Sequence, residues 1–243
     1  MTTTQRPVAL IIGAGDHLGS AIARRFAKEG FHIVATRRRG DLATLVSEVQ
    51  ALGSEATAVH SDARDEDQVI ELVEKVESEV GPISVLVFNV GGNVRFSITE
   101  TSSRVYRKVW EMCALAGFLV GREVAKKMLT RQQGTILFTG ASASIRGNSG
   151  FAAFAGGKHA LRALAQSMSR ELSPKGIHVA HVVVDGLIEN EATKEFLSDL
   201  YASKGDGGII QPDELAEVYW QLHKQPPSAW TFEQDVRPYV EPW

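Results

Sequence analysis

The sequence predicts an α/β domain: a parallel sheet of about seven strands with helices on both faces. Short, uncharged, β-branched runs alternate with amphipathic segments of helical period along all 243 residues. The runs lack the polar alternation of a half-exposed strand, as strands covered on both sides do. No linker, composition shift or internal repeat interrupts the pattern, so a single domain over 1–243 is expected.

Val8–Ile12 is the first such run and ends at Gly13. Leu18, Ile22, Ala23 and Phe26 then recur at helical spacing up to Gly30, a helix stop. His32–Thr36 is the next strand, Leu42–Leu52 an amphipathic helix closed by Gly53, and Ala56–His60 a weaker strand. A helix over Asp65–Val80 is broken by Gly81-Pro82. Val85–Phe88 is a fourth strand, Ser102–Leu129 a long apolar helix, and Thr135–Thr139 a fifth strand. A helix follows to Leu172, where Pro174 and Gly176 end it, and Ile177–Val184 is a sixth strand. The polar segment from Ile188 carries one short helix near Ala192–Ser203. A last helix, Pro212–His223, precedes an aromatic tail from Ser228 to Trp243.

Composition narrows the function. With 44% apolar residues, 23% charged and a net charge of −3, nothing marks a nucleic-acid partner. The single cysteine, Cys113, excludes an internal disulfide and a cysteine-rich metal site. The start Met1–Pro7 is polar and no uncharged run reaches membrane-spanning length, so no membrane association and a cytoplasmic location are expected.

The first strand leads into Gly13-Ala14-Gly15-Asp16-His17-Leu18-Gly19. Glycines there permit positive φ and let the backbone approach a phosphate, while the helix N-terminus supplies N–H groups and positive potential. The dinucleotide fingerprint G-x-G-x-x-G would place its last glycine at Leu18; here it falls one residue later, on Gly19. An acid at the end of the second strand would hold the adenosine ribose hydroxyls, whereas a base accommodates a 2′-phosphate. The chain has Thr36-Arg37-Arg38-Arg39 and no acid before Asp41, which favours NADP over NAD.

A second stretch, Gly150–Leu161, sets Phe154 and Lys158 four residues apart on one helix face. Lys158 is either a snorkelling surface residue or a cofactor ligand.

In these features the chain resembles the short-chain dehydrogenase/reductase family over essentially its whole length. The family's T-G-x-x-x-G-x-G aligns on Ile12–Gly19, with Ile12 in place of threonine and His17 in place of the middle glycine. Its N-N-A-G appears as Phe88-Asn89-Val90-Gly91, and the P-G after the sixth strand as Asp185-Gly186. The resemblance implies a Rossmann-like, doubly wound fold and places adenine contacts at Asp62 and Ala63. Asn89, Gly91, Lys158, Gly186 and Ile188 then belong to the nicotinamide half of the cofactor site.

The family's catalytic positions are mostly replaced. Its Y-x-x-x-K aligns on Phe154–Lys158, its serine on Ala141 and its helix asparagine on Cys113, so only Lys158 of the four is kept. The tyrosine exchanges the substrate's proton and the serine polarises the carbonyl; phenylalanine and alanine do neither. Loss of one such group is worth roughly two to four orders of magnitude in rate, while proximity supplies a separate term. Ser142, one residue past the lost serine, is the first substitute, followed by Ser144, Asn93, Asn148 and a buried Asp185 acting as an acid. His159 points about 100° away from Lys158, and Cys113 reads as a small buried hydrophobe.

The expected activity is NADP(H)-dependent reduction of a small-molecule carbonyl or imine with a non-standard proton source. The alternatives are a degenerate NADP-binding scaffold or sensor, and a non-redox enzyme reusing the pocket. The resemblance implies a homodimer or homotetramer through the long helix and the helix after Lys158. It also implies a substrate-covering loop over about 188–210, where Gly205, Gly207 and Gly208 allow movement.

Overall fold

The computed structural model describes residues 6–196 and 198–242. Residues 1–5 of the polar start, Leu197 and Trp243 lie outside the described residues. Seven strands form one sheet: β1 Val8–Ile12, β2 His32–Arg37, β3 Ala56–His60, β4 Ile83–Phe88, β5 Gly134–Thr139, β6 Ile177–Val184 and β7 Glu233–Val236. Their order is β3-β2-β1-β4-β5-β6-β7, and every pairing is parallel.

Alternation along each strand explains the two layers. In β1, Ala9 and Ile11 pack on one face beneath Phe26 of α1 (Leu18–Ala27), Leu45 of α2 (Ala43–Ala51) and Tyr219 of α9 (Pro212–Lys224). Val8, Leu10 and Ile12 pack on the other, against α3 (Glu66–Lys75), α5 (Ala116–Arg131) and α6 (Ala152–Leu172). Each large side chain so buried contributes about 1.5–3 kcal/mol, which holds the strand ends in fixed positions.

The departures from expectation are local. β4 starts at Ile83, two residues early, because Pro82 can precede a strand directly. The expected long helix is α4 (Ser103–Trp110) and α5 joined by a π turn over Glu111–Leu115, which inserts an extra residue and carries Cys113. The helix expected to Val80 likewise leaves α-geometry at Val76 and closes at Gly81. In the covering segment the described residues are helical over Glu191–Phe196 (α7) and Ser198–Ser203 (α8), on either side of Leu197.

Parallel strands deliver all their carboxyl ends to one edge. The strand order reverses at β1, whose neighbours β2 and β4 lead outward in opposite directions, and such a switch point leaves a crevice.

Candidate functional site

The glycine turn lines that crevice, and its backbone is held from three sides. Gly13 and Ala14 donate to Thr36 O at 3.0 and 2.8 Å, and the Asn89 side-chain amide donates to Gly13 O at 3.1 Å. Gly13 has φ +84°, and a Cβ there would lie 2.6 Å from Asn89 O. A Cβ at Gly19 would lie 2.4 Å from Gly13 O, so both positions require glycine. Gly15 faces open space. His17, exposed at the start of α1, gives that helix no side-chain cap, and the first N–H groups of a helix have no partner inside it. Leu18 is buried in the core, so its role is to seat the turn.

Beyond the turn lies a cleft of about 330 Å³ lined by the ends of β1 to β4. Arg37, Arg38, Arg39 and Arg64 all line it, with Asp62 and Ala63. Arg37 reaches back over the turn to Asp16 at 2.7 Å, and Arg38 stands 3.9 Å from Asp62. Arg64 grips Asp62 with Nε at 2.9 Å and Nη2 at 2.5 Å, and this hydrogen bonding holds the Asp62 carboxyl below the usual carboxylate range. Arg64 was not among the residues nominated from the sequence, although its i, i+2 spacing from Asp62 was the available signal.

Asn89, Val90 and Gly91 line this cleft and also a second one, of about 400 Å³, at the ends of β4, β5 and β6. Gly140, Ala141, Phe154, Lys158, Gly186 and Ile188 line the second cleft. Lys158 is 3% exposed, and its Nζ donates to Thr139 O at 2.7 Å and Val90 O at 3.1 Å. Burial pushes its ammonium below the ordinary lysine range. The snorkelling alternative is therefore excluded. The Phe154 ring centroid is 5.9 Å from Nζ.

Cys113 is fully buried, and a Cβ at Gly157 would come within 3.1 Å of it, so α6 rests directly on the π turn. Cys113 packs with Val109 and Ala153, which is the hydrophobic role expected of it. Behind Lys158, His181 of β6 is buried with Nδ1 3.1 Å from Glu233, which in turn holds Arg162 of α6. Burial pushes His181 down to about 4.

The nominated substitutes separate. Ser142 opens a 3-10 turn and lies outside the lining of the second cleft, while the Ser144 hydroxyl is buried and accepts from Ala141 N at 3.1 Å. Asn93 lines the cleft; Asn148 lines a different cavity beside Arg95 and Phe96. Asp185 is buried, but Arg146 holds both its oxygens at 2.9 and 2.8 Å and Arg237 stands at 3.4 Å. A carboxylate clamped in that way serves as a structural acceptor rather than the expected acid. His159 is exposed and bonds back to Ala155 O. Ile188 bridges to Ile210, which anchors the covering segment at both ends, and Asn190 from that segment also lines the cleft.

No metal-holding group of three or more His, Cys, Asp or Glu side chains occurs among the described residues. No described helix is long and apolar enough to cross a membrane.

The short-chain dehydrogenase family model matches residues 7–201. A crystal structure of a short-chain dehydrogenase from Rhodopseudomonas palustris is 49% identical, covers 96% of this chain and 99% of its own, and superposes with a TM-score of 0.83. An actinorhodin polyketide ketoreductase solved with NADPH is 27% identical, with 98% of each chain covered and a TM-score of 0.88. A short-chain dehydrogenase/reductase of Armillaria gallica is 30% identical over 89% of this chain and 88% of its own.

Proposed function

We propose that this chain, which belongs to the short-chain dehydrogenase family, is an NADP(H)-dependent oxidoreductase that reduces a carbonyl or imine of a small molecule. One observation carries the reading. Two clefts that share Asn89, Val90 and Gly91 lie in line: one holds the glycine turn and four arginines, and the other holds a buried lysine at the ends of β4 and β5.

The residues present fit the dinucleotide. Gly13 and Gly19 bring backbone close to the crevice where no Cβ could stand, and Gly15 leaves open space above the turn. Arg37 and Arg38 supply positive charge where the 2′-phosphate of NADP would sit, and no acid stands at the end of β2 to receive ribose hydroxyls. The similar ketoreductase was solved with NADPH, which supports the same preference. Lys158 would stand beside the nicotinamide end of the nucleotide, and Asn89 ties β4 to the end of β1. When bound, the reduced nicotinamide supplies the hydride; the chain supplies position, charge and exclusion of water. Ile188 and Asn190 of the covering segment close the second cleft from the side of β6. The partly exposed Tyr106, Trp110 and Phe118 on α4 and α5 favour a homodimer or homotetramer through that face.

A second reading, a non-catalytic NADP-binding scaffold, is favoured by the absence of a hydroxyl at both Phe154 and Ala141. Fluorescence titration with NADPH and NADH, followed by NADPH oxidation with ketones, aldehydes and cyclic imines, separates the two. Tighter binding of NADPH with turnover of at least one substrate class is expected. Binding without turnover would select the scaffold, and no binding of either nucleotide would sink both.

A further inference from the structure

Fourteen residues line the second cleft, and among the described residues Lys158 is the one titratable side chain there. The others are apolar, glycines, amides and Thr139, whose hydroxyl is hydrogen-bonded at 2.7 Å to the buried Tyr219. Side-chain amides and a threonine hydroxyl do not exchange protons usefully near neutrality. Any proton that one of these side chains delivers inside the cleft therefore comes from one atom, Lys158 Nζ.

We propose that Lys158 is itself the general acid of the site, a role that rests on the reading as an NADP(H)-dependent reductase. Its ammonium has three protons. Two are taken by Thr139 O at 2.7 Å and Val90 O at 3.1 Å, and the third is left for the cleft that Nζ lines. No side chain intervenes at Gly91, where even an added Cβ would stand 3.6 Å from Nζ. On the other side, Phe154 bounds the space with a ring that has no hydroxyl to interpose between amine and substrate.

The step balances. The C=O or C=N π bond of the substrate opens. Carbon gains a hydrogen and both electrons from a reduced dihydronicotinamide, and oxygen or nitrogen gains a proton from Nζ. Lys158 is left as a neutral amine and regains its proton from water. Burial lowers the proton affinity of Nζ, which makes the ammonium a better donor, while the neighbouring Cys113 opposes the effect. The other groups facing Lys158 are His181 from β6, with Glu233 and Arg162 behind it, and Tyr219 from α9 behind Thr139. An acid must be protonated to act, so ketone turnover falls as pH rises through the pKa of Lys158.

The test compares wild type with Lys158→Arg, whose guanidinium keeps a cation and N–H donors but does not release a proton. Two substrates are used with NADPH: a neutral ketone, and a permanently charged N-methyl cyclic iminium that needs no proton. The comparison is made at saturating NADPH, so that loss of nucleotide affinity in Lys158→Arg does not enter it. The ketone loss should exceed the iminium loss by about 10²- to 10⁴-fold, the worth of one general acid. If the arginine does not fit the cavity by circular dichroism, the same split is read in Lys158→Met. Independently of turnover, NMR of the nucleotide-free chain labelled with ¹³C at lysine Cε should show one signal titrating below the rest, absent from the variant. Equal losses on ketone and iminium would overturn the acid role, as would wild type that reduces neither or only the iminium. Lysine signals that titrate together would also overturn it, as would a ketone loss as large in Tyr201→Phe, whose hydroxyl accepts from the N–H of the cleft residue Asn190 at 3.2 Å. Failure of wild type to bind NADPH would instead remove the reading on which the proposal rests.

Discussion

Where β1, β2 and β3 end, four guanidiniums surround a glycine turn and all stay partly in solvent; where β5 and β6 end, a single ammonium is buried among carbonyl oxygens and apolar side chains. The first region works through backbone shape and redundant charge. Ile12 and His17 replace family residues there, yet the turn keeps its bonds to Thr36 and Asn89. The second region rests on single atoms; on the proposed reading Phe154, Ala141 and Cys113 stand where three of them would be, and α6 still packs on the π turn. On the proposed function, nucleotide recognition would withstand substitution better than proton transfer does.

The contrast has consequences that can be measured, and the largest concerns the turn itself. A side chain at Gly19 would strike the backbone of Gly13 and Ala14, so Gly19→Val should lower NADPH affinity by about 100-fold or more and depress Tm. A nucleotide titration together with a thermal melt checks both. Next comes restoration at the buried end. Phe154→Tyr with Ala141→Ser should raise ketone turnover by about 10²-fold, because it returns a second acid and a carbonyl donor beside Lys158. A double variant that stays at the wild-type rate would show that the buried end has lost more than those two hydroxyls.

Charge at the open end is shared, so its individual parts matter less. Arg38→Ala should weaken NADPH by about tenfold, a typical worth for one charge-assisted contact to phosphate, and leave NADH nearly unchanged. Equal losses for both nucleotides would place Arg38 on something other than the 2′-phosphate.

The support behind the lysine is read in stability against pH rather than in binding or rate. Burial pushes His181 and His223 each from the ordinary 6.5 down to about 4. Both are therefore neutral in the folded chain, while the unfolded chain takes up protons from 6.5 downward. The stability each contributes is complete above pH 6.5 and is lost as pH falls toward about 4, at about 1.4 kcal/mol per histidine for each pH step of one. His181→Asn should flatten that fall in a series of thermal melts; an unchanged slope would show that His181 is not part of it.

Much of this was legible in the chain. Uncharged β-branched runs identify buried parallel strands because such strands must be apolar on both faces; β1, β4, β5 and β6 follow that pattern, while the edge strands β3 and β7 are only partly buried. The glycine turn, Asp62 and the arginines after β2 were also legible, because one loop or one strand end places each of them. Other features were not. The π turns at Glu111–Leu115 and Val76–Val80 leave the 3.6-residue apolar pattern too little changed to be noticed. The clamp on Asp185 joins residues 39 and 52 positions away, and no local signal announces such a pairing. Arg64 carries only its i, i+2 spacing from Asp62 as a signal, which does not by itself tell a cleft arginine from a surface one.

By itself, then, the sequence determined the fold class, the order of the elements and which residue types stand at each strand end, because periodicity and glycine placement are local properties. It also determined that Phe154 and Ala141 have no hydroxyl to lend. Only the tertiary structure decided that Lys158 is buried between Val90 O and Thr139 O, and that no other titratable side chain among the described residues lines its cleft. Burial and cleft lining are properties of the packed layers: they arise when β4, β5 and α6, spread over residues 83–172 of the chain, become neighbours in space.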